Sequence, residues 1–315
     1  MKWYGWFGLA LLAVSELCLL LRIEPIYSWF YCFVWWSYIL LADNLLLRLT
    51  GRSLIQSRRH ELARMLPLSV FVWLVFEAYN LVLRNWGYDG VPALVAVRWG
   101  GYSVAFATVL PGIFITADLF GYFLFGAAAV RPSEAEPAAE PRSRPDPRFV
   151  VLGVLLAIAP LVWPRYFFPA VWIGPILLLD PLLERLGIRS LSLQLASGDR
   201  RRVWSLLAGG CACGLLWEFW NFWAGGKWIY SIPFFGQWKI FEMPVLGFLG
   251  FPPFALECWI LYHLLSAALE RAGSTARAVA WIALAAFCLS VFSGIDRHTV
   301  RRFAAVKSPA VRTVS

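Results

Sequence analysis

The stretch GLLWEFWNFWAGGKWIY, residues 214–230, sets one carboxyl group, Glu218, inside a wall of tryptophan and phenylalanine. An ionised glutamate is costly to hold in such surroundings unless it is paired or neutralised. What the surroundings are follows from the rest of the chain. Of its 315 residues, 60% are apolar and only 15% are charged, against about 25% charged in soluble domains. Mean hydropathy is strongly positive. The few charges gather in short segments, and the apolar runs between them are roughly 17–25 residues long, enough for a helix to cross a bilayer. The fold class is therefore all-α, a polytopic helical membrane protein with about 8–9 transmembrane helices.

The expected spans are 3–21, 26–48, 66–84, 101–126, 148–163, 166–185, 203–223, 245–269 and 275–293, of which 148–163 is short. The first is read as a retained helix, not a signal peptide, because its apolar run is long, Glu16 interrupts it and no small-x-small site follows.

Arginines 48, 52, 58, 59 and 64 follow the second span, and arginines 185, 189, 200, 201 and 202 follow the sixth. The positive-inside rule puts both loops, and with them the N-terminus, in the cytoplasm of a plasma (bacterial inner) membrane. The segment RPSEAEPAAEPRSRPDPR (131–148) is rich in proline, alanine and charge, and we read it as a disordered cytoplasmic linker. It divides a first transmembrane repeat (1–130) from a second (149–294), which a basic tail (295–315) follows. With nine spans the tail would lie outside, against the rule. Either the last span does not cross or the two strong loops override the tail, and we adopt the second reading. The net charge of +9 then reflects membrane topology and anionic lipid headgroups as partners, and excludes nucleic-acid binding as its explanation. The six cysteines lie in apolar spans and the three histidines are scattered, so neither a disulfide framework nor a metal site is expected. No cofactor motif is present.

The chain also contains itself twice. WSYILLADNLLLRLTGRSL (36–54) and WIGPILLLDPLLERLGIRSL (172–191) both give Asp-x4-Arg-Leu-x2-Arg-Ser-Leu, anchored by Asp43 and Asp180. FEAYNLVLRNWGYDGVP (76–92) parallels WEFWNFWAGGKWIYSIP (217–233), each with Glu-x2-Asn, then Trp-x-Tyr, then Pro. LPGIFITAD (110–118) parallels LGFPPFALE (249–257), ending in Asp118 and Glu257. An even number of spans separates equivalent helices, so two copies would share one orientation about a pseudo-twofold axis along the membrane normal.

Three acids thus recur: Asp43/Asp180, Glu77/Glu218 and Asp118/Glu257. A charge at mid-bilayer costs roughly 2.5–3.5 kcal/mol even on a lenient scale, so these groups should face the bundle interior. As interhelical glue they would hydrogen-bond between helices. Asp43 and Asp180 fit that role as well as a functional one, since Arg48 and Arg185 are within reach. Glu77 with Asn80, and Glu218 with Asn221, sit three residues apart and share a helix face, so each asparagine amide is expected to orient its carboxyl. The segments carrying Trp86 and Tyr88, and Trp228 and Tyr230, are too short to span and should lie at the outer interface or re-enter. Together they suggest an aromatic-walled pocket with a carboxyl at its base.

FEAYNLVLRNWGYD and WEFWNFWAGGKWIY resemble the repeat of the membrane-embedded lycopene cyclases and, more loosely, the related carotenoid hydratases. The resemblance covers about forty-five residues per half, and the Pro-x-Glu-Glu motif of those cyclases is absent; Phe-Glu242-Met-Pro244 and Pro252-Pro253-x3-Glu257 stand in its region. It implies acid-catalysed cyclisation or hydration of an isoprenoid, which needs a neutral carboxylic acid in a dry site and aromatic faces to stabilise a carbocation. Glu218 would be the acid, Asn221 its orienter, Trp217, Trp228 and Tyr230 the wall, and Glu242 or Glu257 the group that takes the proton back. Glu77, Asn80, Trp86 and Tyr88 form the matching set. Two other classes remain open: a proton- or cation-coupled carrier with its substrate between the repeats, and a non-catalytic membrane scaffold.

Overall fold

A computed structural model describes residues 1–127 and 147–304 of the chain. Residues 131–146 of the linker and the tail beyond residue 304 lie outside the described residues. The chain runs through α1 (Trp3–Leu20), α2 (Ile26–Thr50), α3 (Arg59–Leu83), β1 (Trp86–Val91), α4 (Val95–Phe106) and α5 (Val109–Phe125). After the linker come α6 (Pro147–Val162), the short α7 (Pro164–Phe167), α8 (Gly174–Arg185), α9 (Leu191–Ala196) and α10 (Arg201–Trp223). Strands β2 (Lys227–Tyr230), β3 (Lys239–Ile240) and β4 (Met243–Pro244) precede α11 (Phe251–Arg271), α12 (Ser274–His298) and β5 (Val300–Phe303).

Among the described residues, eight apolar helical segments are long enough to cross a membrane, with α4–α5 and α7–α8 each forming one of them, and α6 is a shorter ninth. The protein is an all-α polytopic membrane protein. Several of the boundaries differ from the expected ones. α3 starts seven residues before the expected span and α4 six before, because an amphipathic or arginine-bearing turn can continue a helix past the apolar run that a hydropathy reading detects.

Small residues set the closest helix contacts, as expected where lipid offers no hydrophobic drive for association. Gly8 of α1 lies against Leu40 and the Ser37 carbonyl of α2, and Gly153 of α6 against the backbone of Leu177 and Leu178 in α8. A side chain at either position would push the helices apart. At the C-terminus of α2, Gly51 adopts the left-handed conformation (φ 72°) and its N–H closes on the Leu47 carbonyl.

Asp43 and Asp180 serve this end of the bundle. Asp43 accepts from the Leu54 N–H at 2.7 Å, Ser53 Oγ at 2.5 Å and Tyr4 Oη at 2.9 Å. Asp180 accepts from the Leu191 and Ser192 N–H groups at 2.8 and 2.9 Å. Each carboxyl fastens the turn after its own helix by backbone donors rather than through Arg48 or Arg185. The glue reading is the one the contacts support.

The Trp-x-Tyr segments follow the first of their two expected placements. They do not re-enter the bundle but pair as a β-ribbon capping its other end. A three-stranded sheet has the order β2-β1-β5. β1 and β2 are antiparallel, with Gly87 opposite Ile229, Trp86 opposite Tyr230 and Tyr88 opposite Trp228, so the Trp of each strand faces the Tyr of the other. Both strands follow directly on helix ends, and hydrogen bonding to each other satisfies backbone groups that a lone re-entrant loop would leave bare. β5 joins β1 in parallel. α12 thereby returns the chain to the sheet end, one α3 length (about 37 Å) from the 51–58 loop. Arg302 there clasps Asp89 at 2.8 and 2.7 Å, and this hydrogen-bonded guanidinium holds the Asp89 carboxyl below its ordinary pKa.

Candidate functional site

Beneath the sheet stand two carboxyl stations. On α3, Glu77 Oε1 accepts from Trp73 Nε1 at 3.0 Å, Trp86 Nε1 at 2.9 Å and Tyr88 Oη at 2.5 Å. On α10, Glu218 Oε1 accepts from Tyr230 Oη at 2.8 Å, while Trp228 Nε1 donates to that same hydroxyl at 2.8 Å. The residue types match, but the wiring differs. Glu77 collects three donors on one oxygen, whereas at Glu218 the indole is passed to the tyrosine. In both stations Oε2 is buried without a hydrogen-bond partner. Burial, with the adjacent carboxyl next in importance, pushes the Tyr88 and Tyr230 phenols well above their ordinary pKa.

The asparagines reach past the carboxyls to the strands, although the Asn80 amide also interacts with the Glu77 carboxyl. Asn80 Nδ2 donates to the Trp86 carbonyl at 2.9 Å, and its Oδ1 accepts from the Asn85 and Trp86 N–H groups at 2.9 and 3.2 Å. Asn221 does the same to Trp228, with both bonds at 2.9 Å. A side-chain amide copies a peptide group, so it can satisfy the first strand residue where the chain turns out of the helix. Asn80 and Asn221 therefore hold the strands, and the strands carry the donors to the carboxyls.

A cavity of about 90 Å³ opens between the stations. Its wall includes Tyr31, Trp73, Tyr88, Tyr102, Trp217 and Tyr230. A second cavity of about 50 Å³ lies beside Trp86, Trp172 and Phe254. Trp73, Trp228 and Tyr230 line both. Neither Glu77 nor Glu218 reaches the larger cavity. Each lies behind a tyrosine that does.

The remaining acids are dispersed. Glu242, between β3 and β4, is paired to Lys227 at 2.6 Å. Asp118 is paired to Arg202 at 3.0 Å, a partner supplied by another helix and not visible within its own span. Glu257, matched to Asp118 by sequence, behaves differently: it is only 1% exposed and neither oxygen has a hydrogen-bond partner. Among the described residues no group of three or more His, Cys, Asp or Glu could hold a metal ion.

One part of the site was missed in the sequence. Arg98 on α4 is buried and meets Asp296 of α12 through Nε at 2.7 Å and Nη2 at 2.5 Å, while Nη1 donates to the Pro92 and Ala93 carbonyls. Trp99 Nε1 adds a bond to Asp296 at 2.8 Å, and Phe303 lies under the guanidinium at 4.9 Å. Arg98 lines the larger cavity. Both charges sit just beyond the apolar runs, where a hydropathy reading treats them as interfacial. Tyr31 and Trp73 had no distinguishing signal among so many aromatic residues.

The chain matches no protein-family model, no curated protein and no solved structure. Fold and site together define a class, a polytopic helical membrane protein with buried aromatic clusters and buried carboxyl groups.

Proposed function

We propose that the protein is an enzyme performing acid-catalysed chemistry, cyclisation or hydration, on an isoprenoid or other lipid-soluble substrate, in the manner of the membrane-embedded lycopene cyclases whose repeat it resembles. The observation that carries the reading is the Tyr230 hydroxyl, bonded to Glu218 on one side and part of an aromatic cavity on the other. When Glu218 carries a proton on Oε1, it can donate to Tyr230 Oη, which also accepts from Trp228. The phenolic hydrogen is then free for the cavity. Its transfer to a carbon–carbon double bond forms a C–H bond and breaks the O–H bond. Glu218 reprotonates the phenolate and is left as a carboxylate opposite the carbocation, which the faces of Trp73, Trp217 and Trp228 stabilise. In cyclisation a second double bond of the substrate attacks the cation and forms the ring C–C bond, and in hydration a water molecule entering with the substrate adds its oxygen. Loss of a proton from the resulting cation back along the same path restores Tyr230 and Glu218. Glu77, held by three donors on one oxygen, is a second buried carboxyl nearby. Glu242, already paired to Lys227, is a poor proton acceptor for this scheme.

The matched contacts of Asp43 and Asp180, of Asn80 and Asn221, and the self-complementary β1–β2 pairing support a duplicated unit about a pseudo-twofold axis. The basic loops support a cytoplasmic 51–58 end and an outer sheet end.

A second reading, a proton-coupled carrier, is favoured by Glu257, a buried carboxyl with no hydrogen-bond partner. Lipid extraction and mass spectrometry of the purified protein test the choice. A co-purifying isoprenoid supports the enzyme, whereas an empty extract with proton-driven flux in liposomes supports the carrier.

A further inference from the structure

The larger cavity is apolar, and a fully buried donor in its wall makes no well-formed hydrogen bond. The neighbouring donors are all used within the protein: Trp73 and Tyr88 on Glu77, Tyr230 on Glu218, and Trp228 on Tyr230. Trp217 differs from them. It lines the cavity at 4% exposure, and its Nε1 is buried with no hydrogen-bond partner. Packing fixes the ring, with Trp35 at 5.4 Å and Phe254 at 5.7 Å between centroids. The indole cannot easily turn to find an acceptor. Beside it lies Tyr31, whose hydroxyl approaches the indole N–H without making a well-formed hydrogen bond; Tyr31 also lines the cavity, and its ring is held by Trp228 at 4.9 Å. A buried donor without an acceptor is unfavourable, and a ligand that supplies one recovers the loss. A few fixed polar groups in an apolar cavity are what orient a small ligand.

We infer that the enclosed end of the ligand carries a hydrogen-bond-accepting oxygen, as in a ketone, ether or alcohol, received by the Trp217 N–H with Tyr31 beside it. This rests on the reading of the cavity as the substrate site. A cavity of about 90 Å³ takes a group no larger than one small ring or one branched five-carbon unit, so the rest of the ligand must extend through the opening. The oxygen would also fix which double bond meets Tyr230, because Trp217 and Tyr230 line the same space.

Cyclohexanone and methylenecyclohexane are nearly isosteric and differ in the acceptor. Their binding to the detergent-solubilised full chain is measured by titration, with the ketone labelled at the carbonyl carbon for NMR. The expected result is about five- to tenfold tighter binding of the ketone, with a saturable downfield shift of its carbonyl resonance. Trp217→Phe, which keeps an aromatic ring, should level the two affinities and remove the shift. Tyr31→Phe should reduce the preference by less. Equal affinities in the wild type, or a preference that survives Trp217→Phe, would overturn the inference while leaving the cavity as an apolar site. Binding of neither compound would overturn the cavity reading and the inference together. Should Trp217→Phe fail to fold, the wild-type affinity ratio and carbonyl shift decide alone.

Discussion

Tyr230 Oη stands 2.8 Å from Glu218 Oε1 and receives the Trp228 indole, whereas Tyr88 reaches Glu77 on an oxygen that two indoles already occupy. Two stations that share Glu, Asn, Trp and Tyr thus differ in two bonds: the strand indole ends on the tyrosine instead of the carboxyl, and Gly214 stands where Trp73 donates. At Glu77 the three donors end directly on one carboxyl oxygen. At Glu218 the tyrosine is an intermediate, which suits a group that passes a proton on.

Glu218→Gln should separate folding from activity. Glutamine keeps an oxygen for the Tyr230 hydroxyl but has no proton to transfer. Stability should change by under about 1 kcal/mol, and turnover should fall by about 10²–10⁴. Tyr230→Phe should cost similar activity and also strand the Trp228 N–H, with about 1–3 kcal/mol of stability lost. Thermal unfolding and product formation by the same samples check both. Full activity in Glu218→Gln would reduce the residue to a structural hydrogen-bonder.

Asn80 and Asn221 are predicted to act through the strands. Asn→Ala at either position leaves the N–H and C=O of Trp86 or Trp228 unsatisfied, for a loss of about 1–3 kcal/mol. Hydrogen exchange should accelerate first at β1 or β2 and only later in the helices. Uniform acceleration throughout the bundle would mean that the amides do not serve the strands locally.

How much of this was legible follows from particular residues. Asp43 and Asp180 stood out because a repeated Asp-x4-Arg-Leu-x2-Arg-Ser-Leu segment brings the same turn back to the same carboxyl, and local spacing fixes local contacts. Glu77, Glu218 and the Trp-x-Tyr pairs were visible for the same reason. The role of the asparagines was not, because Glu-x2-Asn on one helix face says that the two side chains are near each other, not which backbone lies above them. Arg98 and Asp296 were invisible as a pair: 198 residues separate them, and neither carries a motif. The unlike fates of Asp118 and Glu257 show the limit of matching by sequence. Arg202 arrives from another helix and neutralises one acid of the pair only.

Acid should loosen β5 before the rest of the protein. The Arg302 guanidinium depresses the Asp89 carboxyl, so the stabilisation it gives is complete above the ordinary Asp value of about 3.9 and is lost as pH falls through the lower folded value. Exposure of Arg302 to solvent makes the contribution modest and sensitive to salt. Hydrogen exchange at Val300–Phe303, corrected for intrinsic rates, should rise below about pH 4. In Asp89→Asn the same segment should be loosened already at neutral pH, with little further change on acidification. An Asp89→Asn protein with the wild-type pH profile would detach Asp89 from this transition.

Glu257 gives the most direct test of function against structure. It is buried on α11 one turn past Phe254, and neither carboxyl oxygen is hydrogen-bonded. An isolated buried polar group of this kind weakens a fold, and an apolar residue of similar volume often does better. Glu257→Leu should therefore leave the protein as stable as the wild type or more stable, with the gain on the order of 1 kcal/mol. If Glu257 moves protons, the same variant should lose proton-driven flux or turnover, giving a stabler but inactive protein. Thermal unfolding in detergent and transport or turnover in liposomes read the two effects separately. A marked loss of stability would instead mean that the carboxyl holds helices together, and it would join Asp43 and Asp180 as structural.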